Sequence, residues 1–532
     1  MNDSLKKKTI IIGKYSRRRL LYTLCFLMFC IIDQRTKTAS GLDGLIETFR
    51  EATGIVLACI IFSHYKWADF VKHKWVYIVW GILSIAGGMV AFFRGMAGFP
   101  FLNDRIAILV NVVIWGSILI HTFIQVVLEK QYPKLNKRML IVWTVMMVLM
   151  IVSRSHYIWP FCYMVMFGCF YLTGFTQEEQ GDLWQGCLDG IMLSFILFQG
   201  FCCVFRPYDV ERYQGIHNNC NLNALYYLAV LVAVFTRILY LTKQHASKWL
   251  KVFYWLLAGV VLSFLFMTIG RIAWITAFVL GLVFLGLLNA VTQKKQFVKN
   301  GMVLVLCAVL MFPIAFGATR YLPPVFHHPV WFWGEWSEDK VHSWDPWNSE
   351  KYIDVDELLE AAFGRVAGGV QSLLEHSPFA IKADAAEAEP MEDDPRLQTT
   401  VLAVGQEYDD FLVRATIYKY YITHLNWRGH PYEEQGFQLF WYYWIGHAHN
   451  IFLQYGTDFG IPVMILFAIL VVWGMVVCWK RSKKQASTED IAALFYILIP
   501  VVFGLFEYSW GVGSLSITML FIAWGRAMQK ET

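Results

Sequence analysis

Along the chain, apolar stretches of about 20 residues recur from Leu20 to Met528, most of them closed by short polar connections. Such a length matches the roughly 30 Å of hydrocarbon in a bilayer. A span in lipid must satisfy its own backbone, and runs this long and apolar do so as helices rather than as barrel strands. The pattern predicts an all-α, polytopic integral membrane protein of about 12–14 transmembrane helices, and fourteen are expected, centred near residues 26, 55, 84, 116, 145, 165, 195, 232, 259, 280, 309, 464, 499 and 520. Three units follow from it: transmembrane helices 1–11 over residues 1–318, a long polar loop with short helices over 319–446, and the C-terminal transmembrane helices over 447–532.

Composition agrees, since 57% of the residues are hydrophobic and only 16% charged, against about a quarter charged in soluble domains. The basic residues then orient the spans. Lys6, Lys7, Lys8, Lys14, Arg17, Arg18 and Arg19 precede a first apolar run that ends in IIDQRTK, without a small-residue cleavage site, so a retained first helix is expected. With that end inside, the inner connections hold twenty-six Lys and Arg against eight in the short outer ones, as the positive-inside rule requires. The loop 319–446 is thereby placed outside, and it carries twenty-one Asp and Glu against nine Lys and Arg. Its acidic stretch 381–395 reads as a surface tongue of low packing potential. The run WFWGEWSEDKVHSWDPWNS and the run GFQLFWYYWIG on either side are rich in aromatics. These serve either as headgroup-level anchors or as a platform for sugar rings.

Most of the eleven cysteines fall inside apolar runs and there is no CxxC, which argues against a zinc site or a disulfide framework. Cys202, Cys203 and Cys220 bracket one outer connection and are the set placed for a single disulfide in an oxidising compartment.

Four polar features fall on the predicted outer face. His447, His449 and Asn450, in GHAHNIFLQYGTDFGIPVMI, stand where the loop enters the twelfth span. Histidines at i and i+2 do not share a helix face, so they suggest no metal pair. A helix start disfavours the imidazolium form, and a neutral imidazole suits a general base; structural hydrogen bonding is the plainer role. Arg271, in FMTIGRIAWITAFVLG, lies between two apolar runs, where a cation is costly unless it faces a cavity, an anion or the headgroups. Arg414, in DDFLVRATIYKYYITHL, lies on a segment with the spacing of an amphipathic helix and could simply pair with Asp409 or Asp410. Asn219 and Asn221 belong to the run HNNCNLN before the eighth span, which has more amide than a helix cap requires.

Taken together, these residues resemble the O-antigen ligase and O-antigen polymerase superfamily of membrane glycosyltransferases. HAHNIFLQYGTDFGIPVMI is similar to that family's HxHNxxLQ…E-x-G segment, with Asp458 where Glu is common. GRIAWI resembles its SR-x-AW helix start, with Gly270 for Ser; RATIYKYYITHL resembles the helix that ends its long loop. YQGIHNNCNLNALYYL resembles its NPN motif without the proline, and the likeness covers roughly residues 210–475.

The resemblance implies an enzyme of a bacterial inner membrane with its site facing the periplasm. The donor would be a glycan on polyprenyl (undecaprenyl) diphosphate, and the acceptor a lipid A–core glycolipid or a second lipid-linked glycan. Arg271 and Arg414 would hold the diphosphate, with Asn450, Asn219 and Asn221 also binding substrate. His449, or less favourably His447, would take a proton from the acceptor hydroxyl as the anomeric carbon inverts. The reaction would need no metal, cofactor or nucleic acid, and its partners are membrane lipids and the two substrates. Ligase, polymerase and flippase or transporter are the competing readings.

Overall fold

A computed structural model describes residues 16–33, 52–64, 67–95, 105–155, 158–206, 208, 212–217, 219–326, 352–375, 410–431, 436–440, 443–485, 487–507 and 514–530. The acidic stretch 381–395 and the tryptophan-rich run 331–349 lie outside them. The described residues are helical apart from one short hairpin and connecting turns. In order the helices are α1 (Arg17–Asp33), α2 (Ala52–Phe62), α3 (Trp67–Lys72), α4 (Lys74–Gly95), α5 (Arg105–Phe123), α6 (Lys137–Ile151), α7 (Ile158–Leu172), α8 (Gln177–Phe205) and α9 (Cys220–Lys243). Then follow α10 (Lys248–Met267), α11 (Arg271–Thr292), α12 (Phe297–Phe326), α13 (Val355–Glu375) and α14 (Asp410–Thr423). The antiparallel pair β1 (Phe437–Phe440) and β2 (Tyr443–Ile445) precedes α15 (Ile451–Phe459), α16 (Ile461–Gln485), α17 (Thr488–Val502) and α18 (Leu515–Met528).

Among the described residues, seven helices are long and apolar enough to cross a membrane: α8 to α12, α16, and α17 with its terminal 3-10 turn. Shorter apolar helices lie in α2, α4, α5, α7 and α18. These helices define a multi-pass membrane protein, and each of the fourteen expected centres falls on a helix.

α9 is the hub. It is apolar on every side and buried along almost its whole length, with α8, α10, α11 and α17 packed around it; a helix apolar all round belongs inside a bundle. α12 lies at the periphery, with most of its apolar surface uncovered. It continues to Phe326, beyond the expected boundary at residue 318. The reason is Arg320, fully buried, which donates to the Ile353 carbonyl at 2.6 Å and whose guanidinium lies over the Tyr321 and Tyr352 rings. That contact fastens the helix end to the segment that opens α13.

α1 docks on α8 through Gly186 and Gly190, a GxxxG spacing that lets two backbones approach closely. A Cβ at Gly190 would lie 2.6 Å from the Thr23 carbonyl oxygen and 2.8 Å from the Phe26 Cβ. Polar contacts tie the same surface: Arg19 donates from Nε to Asp189 at 2.9 Å, and Arg237 of α9 reaches both Asp189 and Gln185. Gly190→Leu is therefore expected to displace α1 and lower stability by about 1–3 kcal/mol, as overpacking does. The melting temperature in detergent checks this; a value equal to wild type would mean that α1 is not held by this contact.

Cys202, Cys203 and Cys220 are free thiols, so the disulfide placed on them is not formed. Cys202 is buried within α8 and serves as a small apolar side chain.

Candidate functional site

At one end of the bundle α17 runs into a 3-10 turn, Phe503–Leu505, and then reaches Glu507. Its terminal carbonyls have no partner within the helix, as at any helix C-terminus. Side chains from two other segments supply partners: Asn450 Nδ2 donates to Leu505 O at 2.9 Å, Tyr418 Oη to the same oxygen at 3.0 Å, and Arg414 Nη1 to Phe506 O. The backbone around Glu507 is thus fixed before its carboxylate is considered.

That carboxylate, on a residue only 4% exposed, is where three of the expected site residues, His449, Arg414 and Asn221, converge. Glu507 Oε1 accepts from His449 Nδ1 at 2.8 Å. Glu507 Oε2 accepts from Arg414 Nη2 at 3.1 Å and from Asn221 Nδ2 at 3.0 Å. Asn221 Oδ1 in turn accepts from Arg212 Nη2 at 2.8 Å, and Arg212 Nε donates to Thr268 O at 3.2 Å. Burial alone would raise the Glu507 carboxyl, but the His449 hydrogen bond and the Arg414 charge outweigh it and bring it down to about 2. The carboxylate is therefore ionised and accepts the Nδ1 proton of His449, which points Nε2 away from Glu507.

His449 and His447 lie in a loop before α15, not at the mouth of a span as the sequence suggested. α15 ends at Gly460, and the spanning helix α16 starts separately at Ile461. The two imidazole rings stand 4.2 Å apart and nearly perpendicular. His447 is pushed to lower pKa, first by burial and then by His449 beside it. The loop is braced from below: the Ala448 N–H donates to Gln454 Oε1 at 2.7 Å, and Gln454 Nε2 donates to Asp458 Oδ1 at 2.7 Å. His449 itself has φ of +47°, a conformation that non-glycine residues adopt only when held.

Asn450 and Asn219 are helix caps. Asn450 accepts from the Phe452 and Leu453 N–H groups at the start of α15, and Asn219 from those of Asn221 and Leu222 in α9. Asn450 adds its bond to Leu505. Arg271 is the first residue of α11, whose N-terminus is at Gly270 and has no side-chain cap. It lies three residues beyond the Thr268 carbonyl that holds Arg212, and α11 packs against the 3-10 turn that leads to Glu507. Arg414 pairs with Glu507; the Asp409 and Asp410 side chains lie outside the described residues.

Sequence reasoning missed Glu507 and Arg212. Glu507 had a usable signal, being the sole charged residue between Ile491 and Gly525, and the cost argument made for Arg271 applies to it equally. Arg212 had none beyond its place in a short outer connection. Tyr418, which donates to both His449 O and Leu505 O, carried no signal in the sequence either.

The assembly therefore sets Arg414 and Asn221 on one carboxylate beside the His449 imidazole, with Arg212 behind Asn221 and Arg271 three residues beyond the Thr268 carbonyl that Arg212 engages. The N-termini of α9, α11 and α15 open at the same end. An excess of cationic groups and helix N-termini favours a multiply charged anion. Among the described residues no group of His, Cys, Asp or Glu is placed to hold a metal ion. No family model, curated protein or solved structure matches the chain.

Proposed function

We propose that the protein is a membrane glycosyltransferase of the O-antigen ligase type, moving a glycan from polyprenyl diphosphate to an acceptor hydroxyl at the periplasmic face of a bacterial inner membrane. The observation that carries this reading is the Glu507 carboxylate, which joins His449, Arg414 and Asn221 from three distant segments. His449 Nε2 accepts the proton of the acceptor hydroxyl while Glu507 holds the imidazolium that forms. The hydroxyl oxygen bonds to the anomeric carbon from the face opposite the leaving group, and the bond to the diphosphate oxygen breaks with inversion. Polyprenyl diphosphate departs as an anion, its growing charge offset by Arg271, Arg414 and Arg212. A diphosphate is a good enough leaving group to need no general acid. The helix N-termini at Gly270 and Asn450 add to the positive field.

The test uses the full chain in detergent with a polyprenyl-diphosphate glycan and a lipid A–core acceptor, for wild type and His449→Ala. Wild type is expected to transfer glycan to the core, and the variant to bind donor while transfer falls about 10²–10⁴-fold, the usual contribution of a general base. Glycan chains growing on the carrier without core transfer would make the protein a polymerase. Donor binding without transfer in wild type, with passage of intact donor across vesicles, would make it a transporter.

A further inference from the structure

A second cationic feature lies at the same end of the bundle, away from Glu507. Ile141, Val145, Val148, Ile151 and Val152 recur at helical spacing along α6 and its C-terminal turn, and all five are exposed, Ile151 at 57%. They form one stripe, and on a membrane protein such a stripe is covered by acyl chains. Arg154 stands two residues beyond its end and is exposed.

There the α6–α7 connection is clamped to the turn 426–430. The Arg154 N–H donates to Arg428 O at 2.8 Å, and Arg428 Nη2 donates back to Val152 O at 3.1 Å. This sets two arginines side by side where the apolar stripe stops. The turn is rigid: Arg428 N–H donates to Asn426 Oδ1 at 2.8 Å, His430 N–H to Thr457 O at 2.8 Å, and Ile461 N–H to Asn426 O at 2.9 Å. Gly429 has φ of +71° and lies so close to α15 that a Cβ would be 2.3 Å from Asp458 O. Trp427, 73% exposed, stands on the same turn, a residue type that settles at headgroup depth.

Neither arginine makes an ion pair among the described residues. Asp458, the acid against which the turn packs, uses its carboxyl on Gln454. His424 Nδ1 engages Tyr420 O, and the His430 ring engages His424 O and Asn426. Among the described residues neither cation has an acid as its partner, and an anion at headgroup depth would offset the repulsion between them.

We infer that Arg154 and Arg428 bind the phosphate of an anionic phospholipid whose acyl chain lies along the α6 stripe. The guanidinium forks match phosphate oxygens, and the stripe directly beneath accounts for a lipid rather than a free ion. The site is distinct from the Glu507 centre: α15, nine residues long, separates the turn from His449 by about 13 Å at 1.5 Å per residue. A lipid seated there steadies the turn and, through Thr457 and Gly429, the far end of α15. The inference does not depend on glycan transfer.

The experiment incubates purified full-length protein in detergent with phosphatidylglycerol or phosphatidylcholine of equal chain length and counts bound lipid by native mass spectrometry. Inorganic phosphate serves as competitor. Wild type is expected to retain phosphatidylglycerol preferentially, and Arg154→Gln to weaken that retention about tenfold, as loss of one charge-assisted contact does. This variant keeps both clamping hydrogen bonds, since neither uses the Arg154 side chain, so it should fold; Arg154→Lys should restore part of the binding. Equal retention by Arg154→Gln and wild type would overturn the site. Equal retention of the two lipids by wild type would leave the stripe alone as the cause, and full displacement by inorganic phosphate would leave a simple anion site. Either result would also overturn the inference.

Discussion

Glu507→Gln is expected to lower the rate of glycan transfer by about 10³–10⁴-fold while the lipid-linked donor still binds; loss of the carboxylate behind a catalytic histidine has this magnitude in serine proteases. The substitution keeps shape and replaces one acceptor oxygen with a donor NH2. Three donors now meet the carboxylate: His449 Nδ1, Arg414 Nη2 and Asn221 Nδ2. An amide can accept through its oxygen alone, so whichever way it turns, its NH2 faces another donor. If the oxygen keeps Arg414, the imidazole loses the partner that fixes its tautomer; if it keeps His449, the arginine that would face the diphosphate is released. Transfer at the wild-type rate would remove Glu507, and with it the present account of His449, from the mechanism.

The same variant carries a pH signature that a misfolded site would not imitate. The Glu507 carboxyl is lowered to about 2 from an ordinary value of 4.5. A carboxyl depressed on folding adds stability that is fully present above its unfolded value and is lost as pH falls through the folded one. The melting temperature of wild type minus that of Glu507→Gln should therefore be constant from neutral pH to about 5, then close as pH falls from 4.5 toward about 2. A difference that changed near neutral pH would point to another group.

How far the sequence could be read differs between the fold and the site, for physical reasons. Apolar run lengths are local, so each of the fourteen centres falls on a helix, and among the described residues seven of those helices are long and apolar enough to cross a membrane. Helix caps are nearly as local: Asn219 and Asn450 are placed by bonds that reach only three residues along the chain, and the plain reading of asparagine as a cap describes both. The site is not local. Glu507 lies 58 residues from His449, 93 from Arg414 and 286 from Asn221, and nothing in spacing shows which of many outer polar residues will share an oxygen. The break at Gly460 was legible, because Gly460 followed by Pro462 is a helix stop and start in succession, yet the apolar run around it suggests one continuous span. Reading α15 as a separate helix changes the chemistry, since the histidines then belong to a braced loop and not to the lipid edge.

That brace supplies the second large effect, expected for Gln454→Ala. Gln454 is buried, and its amide has a fixed polarity: the oxygen accepts the Ala448 N–H and the nitrogen donates to Asp458. Removing it strands a buried N–H, which costs about 1–3 kcal/mol, in the residue that joins His447 to His449. The strained backbone at His449, φ +47°, then has less to hold it. A base displaced by about 1 Å loses on the order of 10²-fold in rate, and the loss should appear in kcat with little change in donor affinity, because the arginines are held elsewhere. Asp458→Asn separates positioning from mere stability. Its amide oxygen can still accept from Gln454, so activity should stay within a few-fold of wild type, whereas Asp458→Ala should behave like a milder Gln454→Ala. Asp458 is normally raised to about 7, because burial outweighs the opposing Gln454 hydrogen bond, so the neutral amide is a close stand-in near that pH. If Asp458→Asn and Asp458→Ala lose kcat equally, the brace does not act through the Gln454 amide, and the fixed polarity inferred for that side chain is wrong.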